Sequence, residues 1–446
     1  MAPCSNPSPS RTGILIRSRW FWFLLAAAIV ATRHLGDLMV PQLRDEDGLV
    51  FFQQALVWGG CRTIWWPYMG YFHLLPRLIA ALLHPIPLEY VPLAYNVSAL
   101  VVIAATTARV GAARIPRYAA IAGALAISVV PGNGVGCVNI NTLHFTLAAL
   151  IAVNMMEPAP VSRWETARRG MELLVAALSG PEGIVLAPFT LLRGWQWRRS
   201  WRGLLMLGGV WIGAAVQCVI FLCNPRMSDA EWQSAIPSVG ILARYAKLLF
   251  GGWFGAPYDW RVAASVLAVA VAGIAGIWSV RSQRYRGTAL LVLLGGLAFL
   301  VAGRVVSTHW GHPFYFGARH IYLPFAAVFW SLGWLAAGVD GWRRAVPALL
   351  AAAVIASALP NWTAAMLPNL HWRDQVAALR TGQSPIFADA RSLGWRCFTP
   401  LQHSSIFWAP GTGADHLIHA YAICVPRVGQ VTSEDTDAYL RRMQLP

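Results

Sequence analysis

Residues 20–47 read WFWFLLAAAIVATRHLGDLMVPQLRDED, an apolar segment followed by a short polar stretch that ends in three consecutive acidic residues, Asp45, Glu46 and Asp47. The chain has 19 acidic residues in 446, and nowhere else are three of them consecutive. Carboxylates are costly near a hydrocarbon core, so a cluster at the border of a membrane segment indicates a functional site. The competing interpretation is a solvated loop that happens to be acidic.

The composition predicts an integral membrane protein. Hydrophobic residues make up 57% of the chain, charged residues only 12%, and the mean hydropathy is +0.51, which excludes an ordinary soluble globule. Many of the 22 tryptophans stand near the ends of apolar runs, as in the aromatic belts at membrane interfaces. The net charge of +16 comes from arginines in short loops, where basic residues set topology, and we therefore expect no nucleic-acid partner.

The lengths of the apolar segments predict an all-α, polytopic membrane protein with about 9–11 transmembrane helices, since about 20 apolar residues cross a bilayer. The segments that we interpret as spans are 20–40, 90–108, 117–131, 140–155, 204–223, 262–280, 288–303, 321–339 and 345–360.

The distribution of arginine predicts the orientation. Arg11, Arg17 and Arg19 place the N-terminus in the cytoplasm of a bacterial inner-membrane, multi-pass protein, and most later basic loops fall on the same side. The first outer loop, 41–89, is then long and carries an amphipathic helix that lies along the interface. Residues 1–360 form the transmembrane domain. Residues 361–446 form a small outer C-terminal region, which begins with an amphipathic helix near 371–382.

One stretch breaks the alternation of basic loops. Residues 171–192 are long enough to cross once, yet arginines flank both ends, and the middle contains the helix-breaking run 179–183, Ser-Gly-Pro-Glu-Gly. Two interpretations remain open: a re-entrant hairpin of two half-helices, or one kinked span. In the hairpin, Glu182 points into the protein from the outer half, which makes it a candidate substrate-binding residue.

Other candidates for substrate binding lie in the outer loops. Arginine binds phosphate oxygens in pairs, which favours Arg319, beside His320 at the mouth of a span, and then Arg304 in the same loop. Arg77 of the interfacial helix is a further phosphate candidate, although each such arginine also fits a side chain that snorkels to the headgroups. His309 is a weaker candidate. No spacing of His, Cys or Asp fixes a metal site, so a divalent cation is optional.

The acidic run resembles a known motif. In the GT-C superfamily of membrane glycosyltransferases, which includes protein O-mannosyltransferases and lipid A aminoarabinose transferases, acidic residues follow the first span and open a long outer loop with an interfacial helix. The run 44–47, Arg-Asp-Glu-Asp, is similar in position and type. The resemblance implies a general base among Asp45, Glu46 and Asp47, and a polyprenyl-phosphate or polyprenyl-diphosphate sugar donor. It further implies a lipid, glycan or protein acceptor and an active site that faces the periplasm.

Two other classes of protein fit the same sequence. A lipid-linked-sugar flippase or secondary transporter would use the broken hairpin and the intramembrane Glu182. A non-catalytic assembly protein for envelope polysaccharide would need none of these carboxylates. The classes differ in their response to substitution: an enzyme depends on Asp45 or Glu46, a carrier depends more on Glu182, and a scaffold tolerates both.

Overall fold

The computed structural model describes residues 18–43, 47–68, 71–129, 138–223, 322–338 and 372–380, with positions 345, 348–349, 352, 396–397 and 407–408. This part of the chain is mostly helical, as predicted. The spans predicted at 262–280 and 288–303, and nearly all of the span predicted at 345–360, lie outside these residues.

The helices follow the apolar runs of the sequence. Those of the first half are α1 (Arg19–Arg33), α2 (Leu35–Met39), α3 (Gln53–Trp58), α4 (Gly60–Thr63), α5 (Leu74–Leu83), α6 (Val91–Gly111) and α7 (Arg117–Val129). Those of the second half are α8 (Leu143–Met156), α9 (Arg163–Leu178), α10 (Glu182–Gln196), α11 (Trp201–Cys223), α12 (Tyr322–Gly338) and α13 (Trp372–Arg380). A π-helical turn (Asp47–Phe52) leads into α3, a 3-10 turn (Leu88–Tyr90) leads into α6, and β1 (Arg396–Cys397) pairs antiparallel with β2 (Phe407–Trp408).

Two of these helices are long and apolar enough to cross a membrane. They extend over Leu88–Gly111 and Trp201–Leu222, with mean hydropathies of 1.6 and 2.1. Shorter apolar helices occupy Leu74–Leu83, Arg117–Val129 and Leu143–Met156. The described part of the chain therefore contains candidate membrane-spanning helices at positions where the sequence predicted spans.

Helix α8 is the centre of the bundle. All of its residues are buried, and it packs against α6, α9, α10 and α12. A helix that is hydrophobic on every side is stable only when other elements surround it. The pairs α1–α6, α7–α12 and α9–α11 form its surroundings.

The stretch 171–192 forms a hairpin. Helix α9 ends at Leu178, α10 begins at Glu182, and Pro181 stands directly before the new helix. Arg169 on the first arm donates to the Pro158 carbonyl (2.9 Å), and Arg193 on the second arm donates to the neighbouring Glu157 carbonyl (3.2 Å). Because both arms contact one loop, the chain returns to the end of the bundle from which it started.

The open end of the hairpin is held by an ion network. The Glu157 carboxylate pairs with Arg109 (2.5 Å to Nη2) and accepts from the backbone N–H of Arg114 (2.7 Å). Asn154 Oδ1 accepts from Arg109 (3.0 Å) and Arg169 (2.7 Å). Burial by itself would raise the pKa of Glu157, but the hydrogen bonds and positive charge of Arg109, with the charge of Arg169 and the Arg114 amide, hold that pKa below its usual value.

This network predicts acid sensitivity. A carboxylate whose pKa is lower in the folded protein adds stability above its unfolded pKa, and that stability is lost as the pH falls through the folded pKa. We expect the melting temperature of the parent protein to drop from about pH 5 downward, and that of Glu157→Gln to start lower at pH 7 but drop less. The measurement is thermal unfolding in detergent across this range. Parallel pH profiles for the two proteins would contradict the assignment.

The crossing of α9 and α11 predicts that alanine is tolerated at one of two adjacent glycines and not at the other. A Cβ on Gly209 would lie 2.4 Å from the Gly170 carbonyl oxygen, whereas a Cβ on Gly208 would meet no atom within 4 Å. We expect Gly209→Ala to destabilise the fold by about 1–3 kcal/mol, because backbone must move. Gly208→Ala is the matched control and should be neutral or stabilising by up to about 1 kcal/mol. Free energies of unfolding in mixed detergent micelles test this, and equal values for the two variants would contradict the packing.

Candidate functional site

The acidic run is anchored through its last residue. Asp47 begins the π-helical turn and is 2% exposed. Its Oδ2 accepts from the backbone N–H of Ile140 and its Oδ1 from that of Asn141, both at 2.9 Å. These two residues lie just before α8, so the Asp47 carboxylate is fixed against the N-terminal end of the central helix.

This anchoring changes the role expected for Asp47. A carboxylate with a backbone amide on each oxygen is stabilised in its charged form and is a poor proton acceptor. The sequence offered Asp45, Glu46 and Asp47 as general bases. The two hydrogen bonds favour a structural role for Asp47, and Asp45 and Glu46 lie outside the described residues.

Arg77 lies inside this site rather than at the protein surface. It belongs to α5, the helix predicted to lie along the interface, yet its side chain is fully buried. Its Nη1 donates to Gln54 Oε1 (2.5 Å), and its Cζ lies 5.1 Å from the centre of the Phe51 ring. Tyr95 of α6 is buried within electrostatic reach of both Arg77 and Asp47. A guanidinium and a carboxylate therefore share one buried cluster.

The tip of the hairpin adds a second polar pair to the same end of the bundle. His144 Nδ1 lies 2.5 Å from Glu182 Oε1, and the two side chains are 4% and 2% exposed. Since a carboxylate only accepts, Nδ1 carries the shared proton. Gly180 permits this contact, because a Cβ there would lie 2.2 Å from Glu182 Oε2 and 2.6 Å from the His144 Cβ.

Two polar side chains hold the hairpin tip in position. Gln217, in the middle of α11, accepts from the Phe72 N–H (2.7 Å) and donates to the Phe72 carbonyl (2.9 Å) and the Gly180 carbonyl (3.2 Å). Ser179 Oγ accepts from the Leu75 N–H (3.1 Å). The tip is thus joined to the segment before α5, and Glu182 is placed by contacts on two sides.

A row of aromatic rings lies between the buried cluster of Asp47 and Arg77 and the tip of the hairpin. His73 is fully buried, with ring centres 5.5 Å from Phe51, 4.4 Å from Tyr71 and 5.8 Å from His144. Arg77 contacts the far side of this row through Phe51. The two polar groups are therefore parts of one site, which we call the α8 N-terminal site: Asp47, Arg77, Tyr71, His73, His144 and Glu182.

Helix α13 contacts the 3-10 turn and the π-helical turn beside this site. Helix α13 confirms the amphipathic helix predicted near 371–382. Trp372 donates from Nε1 to the Leu88 carbonyl (2.7 Å), and its ring lies 5.8 Å from that of Phe52. Helix α13 therefore lies at the end of the bundle that contains this site.

The structure tests only some of the predicted site residues. It brings Asp47, Arg77 and Glu182 together. The other candidates lie outside the described residues; they are Asp45, Glu46, Arg304, His309, Arg319 and His320. In the part of the chain that is described, no three residues among His, Cys, Asp and Glu are grouped to hold a metal.

Sequence reasoning did not select His144 or Gln217 as site residues. Gln217 could have been found from the sequence, because a single amide side chain in an apolar span needs a hydrogen-bond partner inside the protein. His144 had a weaker signal, its position three residues after Asn141 at the start of an apolar segment.

Comparison with known proteins gives no match to a family model, a curated protein or a solved structure. The functional argument therefore depends on the site itself.

The anchoring of Asp47 predicts a graded loss of stability. Asp47→Ala leaves the buried N–H of Ile140 without an acceptor, at a cost of about 1–3 kcal/mol, and leaves Asn139 Oδ1 (2.7 Å) as the acceptor for the N–H of Asn141. Asp47→Asn retains one acceptor oxygen and should lose less. Thermal unfolding in detergent measures both, with Asp374→Ala on the exposed face of α13 as the control. If Asp47→Ala unfolds at the same temperature as the control, the hydrogen bonds to Ile140 and Asn141 do not hold the run.

Proposed function

We propose that this chain is a membrane glycosyltransferase of the GT-C type, which moves a sugar from a polyprenyl-phosphate or polyprenyl-diphosphate lipid to an acceptor. The observation that carries the proposal is the burial of Asp47 and Arg77 in one cluster at the start of α8. Such an enzyme needs a guanidinium for the phosphate close to its acidic motif, and Asp47 is the last residue of the acidic run. The acceptor is a lipid, a glycan or a protein.

The membrane setting is part of the proposal. The apolar helices of the described part support membrane association. We propose a polytopic protein of the bacterial inner membrane with about 9–11 spans and a cytoplasmic N-terminus. The ion network around Glu157 then lies at the cytoplasmic end, among the basic loops, which accords with the rule that positive residues stay inside. The α8 N-terminal site consequently faces the periplasm.

The chemistry assigns separate tasks to the two charged groups. In the reaction, an acceptor oxygen forms a bond to the anomeric carbon while the bond from that carbon to the phosphate oxygen breaks. The polyprenyl phosphate leaves with the electron pair, and a base takes the acceptor's proton. Arg77 binds the phosphate, whose charge grows as it leaves.

The acidic run supplies the carboxylates at the reacting centre. Asp47 anchors the run, and Asp45 and Glu46, which precede it directly in the chain, are the proposed reacting carboxylates. A divalent cation between these carboxylates and the phosphate is an optional addition.

One observation favours a carrier as the second candidate function. Glu182 is a buried carboxylate at the tip of a helical hairpin, and broken helices near the middle of the membrane hold substrate in many transporters. A carrier for lipid-linked sugar would depend on Glu182 and would leave the glycosyl bond intact.

The first experiment measures bond cleavage. The purified protein in nanodiscs is mixed with undecaprenyl-phosphate mannose, glucose or aminoarabinose and a membrane extract as the acceptor source, and released undecaprenyl phosphate is quantified by mass spectrometry. We expect release from at least one donor. Asp45→Asn or Glu46→Gln should slow it by at least about 100-fold.

Arg77→Gln should also slow release, with Arg198→Gln, an exposed arginine at the other end of the bundle, as the matched control. Two results together would contradict the glycosyltransferase proposal. The lipid donor would be recovered intact, and a fluorescent lipid-linked sugar would cross the vesicle bilayer in a way that depends on Glu182. That pair of results supports the carrier instead.

A further inference from the structure

The α8 N-terminal site contains a histidine–carboxylate pair that the reaction outlined above does not use. His144 Nδ1 and Glu182 Oε1 are 2.5 Å apart, and both side chains are almost fully buried. The pair joins the first turn of α8 to the first residue of α10. Neither side chain belongs to the acidic run.

We propose that His144 is the proton acceptor for the attacking hydroxyl of the acceptor and that Glu182 positions it. This inference rests on the proposed transferase function and identifies the group that takes the proton. It assigns the proton transfer to α8, so that Asp45 and Glu46 act at the reacting centre by orienting the donor sugar or by binding a cation.

The geometry of the pair sets the tautomer. Because Nδ1 donates to the Glu182 carboxylate, the lone pair of the neutral ring is on Nε2, which is the atom that can accept a proton. When Nε2 takes that proton, the adjacent carboxylate stabilises the imidazolium. A carboxylate that orients a histidine and compensates its charge in this way makes the ring an effective base.

The position of His144 connects this base with the donor region. Asp47 is bound by the amides of Ile140 and Asn141, and His144 follows Asn141 by three residues, which is less than one helical turn. The histidine ring borders the same aromatic row that reaches Arg77, with Tyr71 at 6.2 Å and His73 at 5.8 Å between ring centres. An acceptor held against this row would lie between the base and the phosphate-binding arginine.

Two buried acceptor atoms indicate that the ligand here brings hydroxyl groups. Among the described residues, neither Glu182 Oε2 nor Asn141 Oδ1 has a hydrogen-bond partner, although both are buried. Such an atom costs about 1–3 kcal/mol until a donor reaches it. Both atoms only accept, so they favour a hydroxylated ligand and disfavour a bare anion.

The balance of the step is simple. The acceptor O–H bond breaks and its proton goes to His144 Nε2. The oxygen bonds to the anomeric carbon, and the bond from that carbon to the phosphate oxygen breaks, so the phosphate departs with the electron pair. The imidazolium then returns its proton to solvent, and Glu182 keeps its negative charge throughout.

Chemical rescue tests the assignment. His144→Ala removes the base and leaves a space of about the size of the lost ring. We expect kcat for release of undecaprenyl phosphate to fall at least about 100-fold, with the donor KM little changed. Added imidazole should restore at least a tenth of the lost rate, whereas added pyrrole, which has no basic nitrogen, should restore none. His84→Ala, an exposed histidine at the end of α5, is the matched control.

A double variant distinguishes loss of the base from loss of the fold. His144→Gln with Glu182→Gln replaces the pair by two amides that can bond to each other, so it should elute and melt like the parent yet remain inactive. If either variant turns over at the parent rate, or if pyrrole restores activity as well as imidazole does, His144 is not the base. The glycosyltransferase proposal would not be affected by that result. If the parent protein itself releases no undecaprenyl phosphate from any donor, the transferase fails and this assignment with it.

Discussion

The complete burial of α8 is the constraint on which the rest of the described structure depends. A helix leaves several N–H groups at its start and several carbonyls at its end without intrahelical partners, and a buried helix cannot leave them to water. At the C-terminal end, Arg169 binds the Asn154 and Pro158 carbonyls, and Arg193 binds the Glu157 carbonyl. At the N-terminal approach, Asp47 accepts the two amides that precede the helix. The arginines belong to the hairpin and the carboxylate to the π-helical turn before α3, so the hydrogen bonds at the ends of α8 also fix where these elements pack.

The two ends differ in how completely their polar groups are paired. Around Glu157 and Asn154 the hydrogen bonds form a network of guanidinium, carboxylate and amide groups, which suits a structural role. Around His144 the pairing is incomplete, because Glu182 Oε2 and Asn141 Oδ1 remain without donors among the described residues. Folded proteins rarely keep such atoms, since each costs free energy, and where they occur they often mark a site that binds something else. This difference between the two ends of one helix supports the proposed placement of the site at the N-terminal end of α8.

The sequence predicts the helices well and the site only in part, for a physical reason. Hydropathy is a local property, so the runs predicted at 117–131, 140–155 and 204–223 correspond closely to α7, α8 and α11. Glu182 and Asp47 were also selected locally, as carboxylates that are rare in an apolar chain. The partner of Glu182 could not be found in this way. His144 lies 38 residues earlier, and their contact exists only if residues 171–192 turn back, which the sequence left open. Arg77 shows the same limit: an amphipathic pattern marks a helix but does not say whether its arginine faces headgroups or a buried carboxylate cluster.

The hairpin links topology to chemistry through the placement of Glu182. A single kinked span would carry the chain to the far side of the membrane, and Arg193 could not then reach the loop that Arg169 also binds. Since both arms return, the break at Gly180 and Pro181 lies beside the start of α8, where Gln217 and Ser179 hold it against Phe72 and Leu75. The helix-breaking residues therefore do more than end helix α9. Because Gly180 has no side chain, the Glu182 carboxylate can approach His144. The hydrogen bonds from Gln217 of α11 hold the hairpin tip in this position. The orientation of the proposed base thus depends on Gly180 and Gln217 as well as on Glu182.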